Sequence, residues 1–166
     1  GDEVWRRYYT FATVRHPADR AMSLYSYISR KFDEQQRVSW KRRLKQTLRL
    51  VPNPMIWNAM QAFVETGDFS GFIRHPKFLA DDGAQVQIHS LTDSAGDMIV
   101  DRICRFESLA DDFTEVAERI GLANAALEKV NQSGDGAQKR DGLNTADREY
   151  LAGVYADDFS AFGYSA

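Results

Sequence analysis

The run from Tyr8 to Ile28 constrains this chain more than any other stretch. Tyr8-Tyr9-Thr10-Phe11-Ala12-Thr13-Val14 carries no charge and consists largely of aromatic and β-branched residues, which predicts a strand buried on both faces. Arg15 ends the run. His16-Pro17 follows, and proline, with its fixed φ and missing N–H, suits the first turn of a helix. The period then changes. Ala21, Leu24, Tyr25, Ile28 and Phe32 fall at i, i+3, i+4, i+7 and i+11, an apolar helical stripe, while Arg20, Ser23 and Tyr27 occupy a narrow sector of another face. Strand, short turn and helix in this order predict an α/β fold, in which ligands sit beyond the carboxyl ends of strands and a helix N-terminus attracts anions. Arg15 stands at that place. Its planar fork matches phosphate oxygens, and the Ser23 hydroxyl can add a donor to the same anion. The competing reading pairs Arg15 with a carboxylate such as Asp19 and leaves Ser23 as a tolerated surface residue.

Three stretches carry a resemblance to a known family. Phe11-Ala12-Thr13-Val14-Arg15-His16-Pro17-Ala18-Asp19-Arg20-Ala21-Met22-Ser23-Leu24-Tyr25 resembles the aromatic-x-x-Val-Arg-x-Pro-x-x-Arg-x-x-Ser-x-Tyr motif of the sulfotransferases, especially the branch that includes the carbohydrate sulfotransferases. Asp101 to Phe113 resembles that family's Arg-Phe-Glu-x-Leu-x-x-Asp-Phe pattern, and Tyr155 to Tyr164 its Tyr-x-x-Asp-Phe-x-x-Phe-Gly-Tyr ending. The resemblance implies an α/β, parallel-sheet domain of the P-loop nucleotide-binding type. It also implies that Arg15 and Ser23 bind the 3′-phosphate of 3′-phosphoadenosine 5′-phosphosulfate (PAPS), with Arg20 beside them.

The family also has, upstream of this motif, a strand and a Lys-x-Gly-x-Thr loop that cradles the 5′-phosphosulfate. No Gly-rich phosphate loop followed by a helix occurs in these residues, so the expectation is a chain lacking the family's first strand and phosphate loop: a fragment, or a degenerate relative. The activity implied is sulfuryl transfer from PAPS to a hydroxyl or amine of a small-molecule or carbohydrate-like acceptor, with no metal. The catalytic base is not identifiable. Two alternatives stand beside it: a non-catalytic binding or scaffolding relative, and a nucleotide or sugar kinase, which would need the missing phosphate loop and a metal-binding carboxylate.

Composition narrows the partners. With 166 residues, 43% of them hydrophobic and 12% aromatic, the chain suits a single domain, 1–166, with a substantial core. A net charge of −3 argues against a general nucleic-acid binder. The single cysteine, Cys104, falls in an expected strand from Met98 to Cys104, where it reads as a small buried hydrophobe; without a disulfide, a reducing, cytoplasmic compartment is the simplest expectation, and an anchor upstream is not excluded. No long apolar run appears. His75 and His89 lack metal-ligand spacing.

Several elements complete the expected order. Arg30–Val51 reads as an amphipathic basic helix and Val51-Pro52-Asn53-Pro54 as a break. Asn53 would cap the next helix, striped by Ile56, Trp57, Met60, Phe63 and Val64 and ending at Gly67. Gly67–Ala84 reads as irregular, with Phe69, Phe72 and Phe78 scattered along an insertion that could frame a cleft. Gln87 and His89 are cleft candidates, although an edge strand satisfied by the backbone is the preferred reading. Ser108 and Asp111 have the spacing of a capping box before a helix that stops at Gly121. Glu107 stands at that helix's entrance, where the dipole is reason enough for a carboxylate and a catalytic role is the lesser alternative. The polar, glycine-rich segment Asn131–Gly142 falls where the family carries a basic segment closing over the nucleotide, which makes Lys139 and Arg140 lid candidates. Asn144 or Thr145 would cap a last helix leading to an aromatic tail, Phe159, Phe162 and Tyr164, docked on the core.

Overall fold

The computed structural model describes residues 5, 7–36, 58–122, 127, 140 and 142–165. These fall in two compact units, one of residues 1–19 and 86–166, the other of residues 20–85. The first unit holds the strands β1 (Phe11–Val14) and β2 (Arg102–Arg105), paired in parallel with Phe11 opposite Arg102 and Val14 opposite Arg105. The ladder is started by Asp101, whose Oδ2 accepts the Thr10 N–H at 2.7 Å and the Thr10 hydroxyl at 2.8 Å, while the Asp101 and Arg102 N–H groups return to the Thr10 carbonyl.

Both strands are shorter than the composition predicts. The Tyr8 N–H closes a turn onto the Trp5 carbonyl, so the aromatic run is spent partly on a turn and the strand begins at Phe11. Nor is β1 buried on both faces. Phe11 and Thr13 are exposed and Val14 is buried, because alternate side chains of a strand point to opposite sides. Met98 is outside β2: it bridges Thr92 in antiparallel fashion, and the Ile99 N–H bonds the Leu91 carbonyl, which makes this stretch the return of a local loop.

Helix α5 (Leu109–Arg119) follows β2 after a 3₁₀ turn at Phe106–Ser108; Val116 and Ala117 are its buried residues, Phe113 meets Phe11 with ring centroids 6.2 Å apart, and Gly121 ends it at φ +76°. Ser108 makes no capping box with Asp111. Its hydroxyl turns to Asp112 Oδ2, which also takes the Arg105 N–H at 2.6 Å, so Asp112 ties the strand end to the helix instead. Helix α6 (Thr145–Val154) is capped by Asn144, whose Oδ1 accepts the Asp147 N–H at 2.8 Å. The expected single last helix is two, since α7 (Ala156–Phe162) follows and closes at Gly163, φ +63°.

α1 (Pro17–Gln36) starts in the first unit and continues into the second, which also holds α2 (Asn58–Thr66), α3 (Phe69–Arg74) and α4 (Pro76–Leu79). Tyr25 of α1 is ringed by Phe63, Phe69 and Phe72 at 5.2–5.6 Å, and Phe72 meets Phe78 at 4.9 Å. Phe72, Ile73 and Phe78 are wholly buried. Gly67–Ala84 is therefore a chain of short helices and a 3₁₀ turn rather than an irregular insertion. Asp68, His75 and Asp81 each turn a side chain back to a main-chain N–H, and Pro76 starts α4, so side-chain caps replace helix length. Val64 of the expected apolar stripe is exposed, whereas Met60 is buried. Most of the basic segment Arg30–Val51, the Val51-Pro52-Asn53-Pro54 break and most of Asn131–Gly142 lie outside the described residues; Arg30–Gln36 is the end of α1.

Candidate functional site

Arg15 comes directly after β1 and before α1, as the strand–turn–helix pattern requires. It is half-buried. Its guanidinium carbon lies 4.4 Å from the centroid of the Phe106 ring, a cation–π contact supplied by the residue that follows β2. Its Nε is buried with no hydrogen-bond partner among the described residues. A buried donor left unpaired costs about 1–3 kcal/mol, so this N–H is one that an anionic oxygen would satisfy. Among the described residues Arg15 makes no ion pair; Asp19, the carboxylate named as its alternative partner, feels the Arg15 charge but gives its Oδ2 to Arg140 Nη1 at 2.8 Å.

Its main chain is equally committed. The Gln87 amide accepts the Arg15 N–H at 3.0 Å and donates to the Arg15 carbonyl at 2.9 Å, and Asp158 holds Gln87 in turn. Gln87 and His89 do not lie on an edge strand; Ile88–Ser90 is a 3₁₀ turn, and exposed His89 has its Nε2 3.5 Å from Asp157.

A second group of polar side chains lines a pocket of about 430 Å³ within the first unit, with His16, Arg105, Glu107, Arg140, Arg148 and Tyr164 in its walls. His16 is buried and fully engaged: Nδ1 accepts the Ala18 N–H at 3.2 Å and Nε2 faces the Ser165 carbonyl at 2.9 Å. Those partners select the neutral tautomer with hydrogen on Nε2, and burial pushes its pKa below 6.5. Glu107 accepts the His16 N–H through Oε1 at 2.8 Å and the Tyr164 hydroxyl through Oε2 at 2.9 Å. Burial, and then that bond to a carboxylate, push the Tyr164 phenol well above its ordinary range. Glu107 thus fastens the aromatic tail to the sheet end, a role beyond the dipole contact that its position suggested. The walls carry three guanidinium groups and one carboxylate, and one of the three, Arg140, is paired with Asp19.

The other residues singled out in the sequence divide between the two units. Arg20 and Ser23 belong to the second unit, where Arg20 Nη2 donates to the Gln85 carbonyl and Ser23 is half-buried in the second turn of α1. Arg140 is on Asp19; Lys139 lies outside the described residues. Among the described residues no group of three or more His, Cys, Asp and Glu side chains is placed to hold a metal ion, and no helix is long and apolar enough to cross a membrane.

Phe106 and Asp158, which meet or support Arg15, received no role from pattern reading, and Gln87 stood only as a cleft candidate. One signal was available. Asp158 falls on the same helical stripe as Leu151, Tyr155 and Phe162, all buried, and a carboxylate on an apolar stripe must find buried donors. Gln87 was a cleft candidate, but no local signal ties it to the Arg15 main chain.

The family model described as the sulfotransferase family matches residues 1–165 of this chain. No curated protein and no solved structure matches it.

Proposed function

The chain belongs to the sulfotransferase family, and from that premise we propose that it takes PAPS as donor and transfers a sulfuryl group to a hydroxyl or amine of a carbohydrate-like acceptor. Arg15 is the residue on which the reading turns. Its unsatisfied Nε and its place past a parallel strand, before a helix, fit the 3′-phosphate of such a donor. The donor, when bound, supplies the activated sulfuryl group. The chain's part is to bind and orient: Arg15 gives the charged fork, Phe106 holds the plane of that fork, and Ser23, at the far end of the same motif, adds one hydroxyl donor. Arg20, Lys139 and Arg140 complete the proposed set around the nucleotide.

Calorimetric titration with adenosine 3′,5′-bisphosphate and adenosine 5′-monophosphate tests this reading. The bisphosphate should bind more tightly than the monophosphate. Arg15→Ala should cost about 1.5–3 kcal/mol for the bisphosphate, roughly tenfold to a hundredfold, and Ser23→Ala about 1 kcal/mol. Equal affinity for the two nucleotides, or an Arg15→Ala protein that binds like the parent, removes the clamp. Nucleotide binding without sulfuryl transfer to any saccharide acceptor would instead assign the protein to the non-catalytic reading.

A further inference from the structure

One side chain from far along the sequence holds both main-chain hydrogen-bonding groups of Arg15. Gln87 Oε1 accepts the Arg15 N–H at 3.0 Å and Gln87 Nε2 donates to the Arg15 carbonyl at 2.9 Å, across a separation of 72 residues. The second Nε2 hydrogen goes to Asp158 Oδ2 at 3.1 Å. Asp158 also accepts two main-chain N–H groups, from Gln87 at 3.0 Å and from Ile88 at 2.9 Å. It is wholly buried in α7, where N–H groups on both oxygens compensate its polarity. The Gln87 amide has one acceptor and two donor hydrogens, and this arrangement uses all three functions. Turning the amide over would set its oxygen against the Arg15 carbonyl and Asp158, so its partners permit one orientation.

Arg15 lies one residue past the paired part of β1, so the ladder with β2 does not fix its conformation. Gln87 does so, acting there as a one-residue strand partner. We propose that Gln87, oriented by Asp158, is the positioning residue of the anion clamp: it sets the main chain of Arg15 so that the guanidinium is presented over Phe106. The inference rests on reading Arg15 as the 3′-phosphate ligand. A planar fork makes two good hydrogen bonds only within a narrow geometry, and a binding group left about 1 Å loose by its supporting residues loses much of its effect.

A double-mutant cycle decides it, with the same two nucleotides titrated into the parent, Arg15→Ala, Gln87→Met and the double variant. Gln87→Met should weaken adenosine 3′,5′-bisphosphate about tenfold, leave adenosine 5′-monophosphate near the parent value, and add nothing once Arg15 is gone. A residue that only stabilises the fold would weaken both nucleotides in parallel, in the Arg15→Ala background as well, and that result overturns the proposal. Should Gln87→Met lose its cooperative unfolding transition, Gln87→Asn takes its place; it keeps the amide but cannot span both Arg15 groups. If Arg15→Ala weakens the bisphosphate while both Gln87 variants bind like the parent, the clamp stands and the positioning role falls. If Arg15→Ala itself binds like the parent, the functional reading falls and this inference with it.

Discussion

At the scale of single residues, the side chains around His16 do structural and electrostatic work together. Because burial holds the His16 pKa below 6.5, the unfolded chain takes up a proton there before the folded one does. The stability this contributes is present above pH 6.5 and is lost as the pH falls through the folded-state value. His16→Asn keeps a side-chain acceptor for the Ala18 N–H and removes the titration. Urea unfolding at about pH 7 and about pH 5 should therefore show a smaller acid loss in the variant than in the parent; equal losses would mean that His16 is not held neutral. Asp19 acts in the opposite sense, since its burial raises its pKa despite Arg140, and it is present in both proteins. The Asp19–Arg140 pair makes its own prediction. Asp19 is buried and its Oδ1 has no partner among the described residues, so Arg140→Met should destabilise the protein by about 1–3 kcal/mol, and Asp19→Asn in the same chain should recover most of it. A melting temperature unchanged in Arg140→Met would show that the pair contributes nothing.

At the scale of elements, what was legible in the sequence was what repeats. The long helix from Pro17 stood out because its apolar stripe runs through several turns, and α5 and α6 stood out by stripe, cap or terminal glycine. The short helices α3 and α4 are not legible because a single turn offers no period to read, and the signals that make them, Asp68, His75 and Pro76, look the same in a loop. The strands were over-extended for a related reason: a run of Tyr, Phe and Val records a preference for extended backbone, whereas the hydrogen bonds of Tyr8 to Trp5 and Ile99 to Leu91 decide where pairing stops. Arg15 was legible from its place in the pattern and Gln87 as a cleft candidate, but the bond between them was not, because they are 72 residues apart and no local rule links them. Caps are also where element stability can be tested. Asn144→Ala should cost about 0.5–2 kcal/mol by chemical denaturation, the range for loss of an N-cap, and no change would indicate that α6 is held by packing alone. Gly67→Ala should cost about 1 kcal/mol although its Cβ would meet nothing within 4 Å, because φ is +75°.

For the whole molecule, the α/β class was readable while the division into two units was not, since α1 crosses from one to the other without a break in its pattern. Cys104 reports on the first unit's integrity. It is wholly buried opposite Thr13 in β2, and burial raises its thiol pKa, so a thiol reagent should label the native protein far more slowly than the denatured one. Labelling at the same rate in both would contradict the strand pairing. The wiring of this unit also has a consequence in time. Arg15 is among the first residues of this stretch to be synthesised, yet the groups that hold it and its neighbour come from much later: Gln87 after 72 residues, and Ser165, the partner of His16, after 149. Closing such long loops precedes any gain from the contacts they make. During synthesis the arginine therefore waits, its strand end unpaired, until Gln87 and the residues that hold it have emerged from the ribosome, and this corner of the first unit matures late.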